Sequence, residues 1–382
     1  MRTGIANFTL DYGKCPPWLF ERMVRLGRAM CEAIVDQYGP DEFIKRMADP
    51  VWFQSLGTVL AFDWNASGLT TVLTGALKEA ICGQEKDLGI FICGGKGKTS
   101  LKTPEHIVDW SGQIGIPQRF ADNLVYNSKM AAKVDSSLVQ DGYELYHHVF
   151  LFSRKGAWTV IQQGMNKQNK TARRYHWYSR NITDLVCEPH AGVAAQLPPS
   201  RVLNLTAREG GQNRQISTEL VRRSGFYALL KDLVLLEKYY TPLNQTVRIK
   251  TGQNQLALLN LENKEFKTHP VVKENFAQSK YLQRILYQLT QEKPGSYEQI
   301  LATRGVGGKT MRALALVAEI LYGAKLSYND PARYSFAHGG KDATPYPVDK
   351  KTYDQTIFTM RELVRKSKIN PAEKNKICRR LK

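Results

Sequence analysis

The stretch Ile300 to Val317, ILATRGVGGKTMRALALV, constrains the fold of this chain more than any other. An apolar helical run ends near Thr303. Arg304-Gly305-Val306-Gly307-Gly308 then breaks it, and Lys309-Thr310 opens a second apolar run. Glycine tolerates positive φ and lets backbone approach another group closely, so this spacing predicts a tight hairpin between two helices. Val306 is expected to plug the turn into the helices. The amides at the new helix start would face outward as anion donors, with Arg304, Lys309 and Thr310 beside them. Such a turn can hold a phosphate without reading a base.

Charge points the same way. The 382 residues carry a formal net charge of +19, which fits a polyanionic partner. With 42% hydrophobic and 10% aromatic residues, the chain has the makings of a folded protein with room for two cores. Residues 154–180 hold seven Lys/Arg and no Asp/Glu, and residues 361–382 hold nine basic and two acidic residues. Two basic surfaces, one in each half, suggest a strand held at two places. Six scattered cysteines without a Cys-x-x-Cys pair argue for a reducing compartment and against a disulfide framework or a zinc ribbon. With no long apolar run and no leader, a cytoplasmic, nucleoid-associated protein is expected.

The pattern along the chain predicts an α+β fold. Residues 1–190 are expected to form a mixed α/β catalytic domain around a central sheet. Residues 191–268 would form a linker and connecting helix. Residues 269–382 would form an all-helical domain with the hairpin at about 296–323 and a basic tail. Helices are expected at 18–38, in a short segment before Pro50, at 69–81 and at 119–138. Strand character is expected at 51–62, 88–93, 143–152 and 158–163. The 143–152 run is apolar on both alternating faces and should be central. His190 to Arg214, rich in Pro, Gly, Asn and Ala, reads as the linker, and 244–267 stays open.

Candidate chemistry gathers at the 143–163 hairpin. Its pairing positions sum to about 310 or 311, which brings His147 and His148 beside Gln162 and Gln163. Asp141 sits at the strand mouth, with Asp135 and Lys133 at the end of the preceding helix. Asp135, Asp141 and His148 are the residue types that hold Mg²⁺ or Mn²⁺ for phosphodiester cleavage. Lys133 and His147, with Gln162 and Gln163, would handle the proton and the developing charge. A core hairpin with satisfied polar groups uses the same residues. Arg173, Arg174 and His176, interleaved with Tyr175 and Trp177, suit phosphate contact and base stacking. Asp63, near Ser67, Thr70, Thr71, Lys78 and Glu79, is either a metal or phosphate ligand or part of an Asx-type helix cap. Gly94 to Ser100 lacks the spacing of a nucleotide-binding loop. Cys187 and His190 form a lone pair of potential ligands, a type more often structural.

The runs Arg2-Thr3-Gly4, Pro16-Pro17-Trp18-Leu19-Phe20, Phe62-Asp63-Trp64, Gln140-Asp141-Gly142-Tyr143, Gln162-Gln163-Gly164-Met165, Arg173 to Trp177 and Ser335 to Asp342 resemble the prokaryotic domain-of-unknown-function family 763. That resemblance brings no activity with it. Residues 296–330 are similar to the hairpin segment of helix-hairpin-helix DNA glycosylases, with Lys309 where a Schiff-base lysine would stand and Asp330 near the place of the family's aspartate. The intervening helix is longer here, and Thr303-Arg304 replaces the usual Leu-Pro. Three functions follow as expectations. The first is a metal-dependent endonuclease acting on single-stranded or structured DNA in repair or recombination. The others are a glycosylase/AP lyase using Lys309 and Asp330, and a non-catalytic DNA-binding protein. Any of them could be a homo-oligomer.

Overall fold

The computed structural model describes residues 8–10, 13–61, 65–196, 202–239, 246–251, 255–260, 274–332, 350–367 and 369–380. The chain opens with four helices, α1 (Pro17–Tyr38), α2 (Pro40–Ala48), α3 (Pro50–Ala61) and α4 (Ala66–Ala80). A short α5 (Glu85–Leu88) leads into β1 (Ile90–Lys96), and α6 (Lys98–Leu101), α7 (Thr103–Gln113) and α8 (Gln118–Ser137) follow. Next come β2 (Val139–Gln140), β3 (Glu144–Ser153), β4 (Trp158–Asn166), β5 (Thr171–Tyr178), β6 (His190–Ala195) and β7 (Leu203–Asn204). The remainder is α9 (Gly211–Arg223), α10 (Phe226–Tyr239), β8 (Thr246–Thr251), β9 (Gln255–Asn260), α11 (Lys280–Glu292), α12 (Tyr297–Ala302), α13 (Gly308–Ile320), α14 (Lys350–Lys366) and α15 (Pro371–Arg380). The α+β class holds. Among the described residues, no helix is long and apolar enough to cross a membrane.

Five strands form an antiparallel sheet in the order β1-β3-β4-β5-β6. Side chains alternate across a strand, so a sheet covered on both faces needs apolar residues at odd and even positions. On β3, Val149 and Leu151 join a core with Phe43, Phe53 and Leu73 of α2, α3 and α4. Phe150 and Phe152 enter the opposite core, with Val134 of α8. That second core continues through Leu229, Leu286, Ile300 and Leu316 of α10 to α13, so the later helices pack on the sheet layer. Met360 and Leu363 of α14 instead join the core under α1 to α4.

Two sequence expectations are corrected. Residues 51–62 are not a strand: α3 occupies most of the segment, with Pro50 as its first residue and Asp49 Oδ1 accepting from the amides of Val51 and Trp52. A carboxylate followed by proline is a helix start, and here it outweighs the apolar run behind it. The expected linker begins with β6, the edge strand that pairs with β5 from Arg173 to Trp177. Its residues Ala191, Gly192, Ala194 and Ala195 have weak strand propensity and are held by that ladder.

Candidate functional site

The candidate residues lie in two places, the turn between α12 and α13 and a polar network buried against α8. At the turn, Gly305 has φ +87°, and a β-carbon there would meet Ile285 Cδ1 at 2.6 Å, so only glycine fits. Val306 is buried in the core, as expected. Gly307 precedes α13 in extended conformation, and a β-carbon there would meet nothing within 4 Å. No side chain caps the start of α13. Arg304 is exposed, while Lys309 and Gly308 are partly so. Thr310 is buried and offers no hydroxyl to a ligand.

Lys133 braces this turn. Its ammonium donates to the carbonyls of Leu301 (2.6 Å), Thr303 (2.8 Å) and Ala302 (3.2 Å), the negative end of α12. Burial lowers its pKa. Gln140 donates from Nε2 to the carbonyl of Gly308 at 2.9 Å, and a β-carbon on Gly308 would lie 3.5 Å from the carbonyl of Ser136. The hairpin therefore sits on the carboxyl end of α8. Gln140, which sequence reasoning missed, is one of its anchors.

The pleat separates the residues expected to form one catalytic cluster. His147 and Gln163 pair across β3 and β4 and point toward α4. His147 Nε2 lies 3.1 Å from Thr74 Oγ1, and Gln163 Nε2 donates to the carbonyl of Ser67 at 2.9 Å. Burial depresses the His147 pKa to about 3, so this ring is neutral. His148 and Gln162 face α8 instead. Gln162 donates to Asp135 Oδ2 at 2.5 Å, so its carbonyl oxygen must accept from His148 Nδ1 at 2.9 Å. His148 Nε2 then accepts from Ser128 Oγ at 2.9 Å. Burial lowers the His148 pKa, in keeping with this neutral tautomer.

Asp135, fully buried, is where this relay ends. It also accepts from Trp177 Nε1 at 3.0 Å and from His190 Nε2 at 2.5 Å. Asp141 is occupied separately, accepting from Tyr175 Oη at 2.7 Å and from the Tyr143 amide at 3.0 Å. Arg173 Nη1 lies 3.0 Å from Asp141 Oδ2, and its Nη2 donates to Asp330 Oδ1. Burial still holds the Asp141 carboxyl above the usual carboxylate range, opposed by Arg173, Tyr175 and the Tyr143 amide. Protein donors thus surround Asp135, Asp141 and His148. Among the described residues, no group of three or more His, Cys, Asp or Glu is placed to hold a metal ion.

Arg173, Arg174 and His176, expected at a DNA surface, are fully buried instead. Their strand is internal to the sheet. Arg174 donates to Thr70 Oγ1 at 2.8 Å with its guanidinium 4.4 Å from the Phe53 ring centroid, and His176 Nδ1 lies 3.2 Å from the carbonyl of Met47. Asn65 caps α4 by accepting from the Ser67 amide. Asp63 itself lies outside the described residues, as do Ser335 to Asp342. His190, the residue sequence reasoning undervalued, finds its carboxylate 55 positions away.

A family model described as "Protein of unknown function (DUF763)" matches residues 4–348. No curated protein and no solved structure matches the chain. The match spans the sheet, the buried network and the α12–α13 turn, and nearly all of the 382 residues: the chain belongs to the DUF763 family.

Proposed function

We propose that this protein binds DNA through the α12–α13 turn as a helix-hairpin-helix, holding the backbone without reading sequence and favouring unpaired strands. The observation that carries this is the open approach at Gly307, in front of an uncapped helix start and beside Arg304 and Lys309. Neither cation has an ion-pair partner among the described residues. A helix start with a positive dipole end and nearby cations is a phosphate site in waiting. Metal-assisted cleavage at Asp135, Asp141 and His148 has less support, because each already has protein partners.

Two glycines test the grip. Gly307→Val should fold normally and lose about tenfold or more in DNA affinity for every sequence, since the new methyls occupy the phosphate approach. Gly305→Val, at φ +87° and against Ile285, should cost about 1–3 kcal/mol of stability instead. Anisotropy titrations over a salt series separate the two, because each phosphate contact contributes roughly 0.7–0.9 to the log–log slope. Wild-type affinity and slope in Gly307→Val would sink the proposal.

Preference for unpaired DNA rests on Tyr281. Its ring is half exposed, its hydroxyl donates to the carbonyl of Gly305 at 2.6 Å, and the Arg284 guanidinium lies 5.4 Å from the ring centroid. An aromatic face next to a phosphate grip stacks a splayed base, a contact of about 1–3 kcal/mol. Tyr281→Leu should lose that much on single strands and nothing on duplex, while Tyr281→Phe, which loses only the hydroxyl, should keep the single-strand preference. Equal losses on both substrates would reduce Tyr281 to a prop for the turn.

A further inference from the structure

His190 stands at the wall of a cavity of about 730 Å³, within the size range of small-molecule sites. Its Nε2 is engaged by Asp135 at 2.5 Å, and its Nδ1 has no hydrogen-bond partner among the described residues. Gln162 and Trp177 both donate to Asp135 Oδ2, which leaves Oδ1 to pair with His190, and as a carboxylate it accepts the Nε2 proton. The Nδ1 lone pair is then the free end of the ring. A carboxylate that fixes the tautomer of an imidazole at a cavity wall makes a general base.

The charges around it select the chemistry. Among the described residues, Glu188, Glu209 and Asp330 line the cavity with one arginine, Arg208, which lies 3.4 Å from Glu188 in an ion pair. Arg173 behind Asp330 is shared with Asp141. A negative field opposes the charge that builds on a phosphodiester under attack, and it stabilises the cationic sugar formed when a glycosidic bond breaks. The hairpin and the cavity share one small sheet: Gly308 bonds to Gln140 of β2, β2 pairs with β7, and Asn204 of β7 lines the cavity.

We propose that His190, positioned by Asp135, is the general base of a site that hydrolyses the N-glycosidic bond of an unpaired nucleotide swung out of a strand held at the hairpin; this rests on the DNA-binding reading above. A water oxygen bonds to C1′ and gives one proton to His190 Nδ1. The bond from C1′ to the base nitrogen breaks, and its electron pair leaves with the base, which takes a proton from solvent. The imidazolium then returns its proton to solvent, leaving a free base and an abasic sugar. No lysine adduct forms, and the phosphodiester stays intact.

The test uses the full chain and single-stranded oligonucleotides carrying one uracil, hypoxanthine or alkylated adenine, with EDTA and with Mn²⁺. Binding is measured on the same strands, and products are read as free base and as breaks that appear only after alkali. Base release should be seen on at least one strand. His190→Gln, which can still donate to Asp135, should slow it about 10²–10⁴-fold at unchanged DNA affinity. His190→Ala should be partly rescued by added imidazole, which a merely structural histidine would not allow. Asp135→Asn should lower kcat with KM held. Binding without base release, direct strand breaks, a borohydride-trapped adduct or a full-rate His190→Gln each overturns the proposal while leaving the DNA-binding reading intact. Absence of DNA binding overturns both.

Discussion

Below pH 6.5 the folded protein should lose stability progressively as the pH falls. Three imidazoles, His147, His148 and His176, are buried with pKa values lowered mainly by desolvation, His147 to about 3. A group with a depressed folded pKa adds no penalty above its unfolded value of 6.5. As pH falls below that value, the unfolded chain takes up protons that the folded state refuses. Each histidine then contributes up to about 1.4 kcal/mol per pH unit until the pH reaches its own folded pKa. Against a total stability of about 5–15 kcal/mol, such a loss is measurable. Asp141 works in the opposite sense: its carboxyl is raised from 3.8, so it favours the folded state increasingly as pH falls through that window. One group against three does not reverse the slope. Urea midpoints at about pH 7.5, 6 and 5 measure the effect, and a flat profile would show that the imidazoles are hydrated or mobile.

That histidine cluster also shows where sequence reasoning succeeds and where it stops. The register of β3 and β4 was legible to within one residue, as sums of about 310 or 311, because a short turn ties the two strands; the structure has 310, with His147 on Gln163 and His148 on Gln162. Placing these pairs on opposite faces of a covered sheet follows from the same alternation, yet a list of polar residues close in sequence hides it. The turn between α12 and α13 was legible because Gly305 marks a positive φ at a close approach. Arg173 and Arg174 were misplaced because composition counts charges and says nothing of burial; β5 is internal only because β6 adds a further strand beside it, drawn from a segment whose Ala and Gly residues read as coil. His190 was undervalued for a related reason. Its role depends on Asp135 across 55 positions, a pairing that no local spacing records.

Arg173→Leu should cost about 3–5 kcal/mol, the penalty for stranding buried charge, and so a large part of the stability of a typical domain. The guanidinium is fully buried between Asp141 and Asp330, with the Tyr143 and Tyr175 ring centroids 5.8 and 6.0 Å away. Without it, Asp141 keeps the Tyr175 hydroxyl and the Tyr143 amide, while Asp330 keeps the Ala332 amide. The two carboxylates that shared the guanidinium are then left without it. The Asp141 pKa, already raised, should rise further, so the loss is largest near neutral pH and shrinks as acid neutralises the carboxyl. Arg173→Lys should fall between, because an ammonium restores the charge without the fork that reaches both acids at once. Adding Asp141→Leu to Arg173→Leu should recover part of the loss, since removing both partners leaves an apolar contact in place of a stranded charge. A double-mutant cycle in urea reads the coupling directly. A single-variant cost below about 1 kcal/mol would mean that water already reaches the pair, and would return Arg173 to the residues available for a ligand.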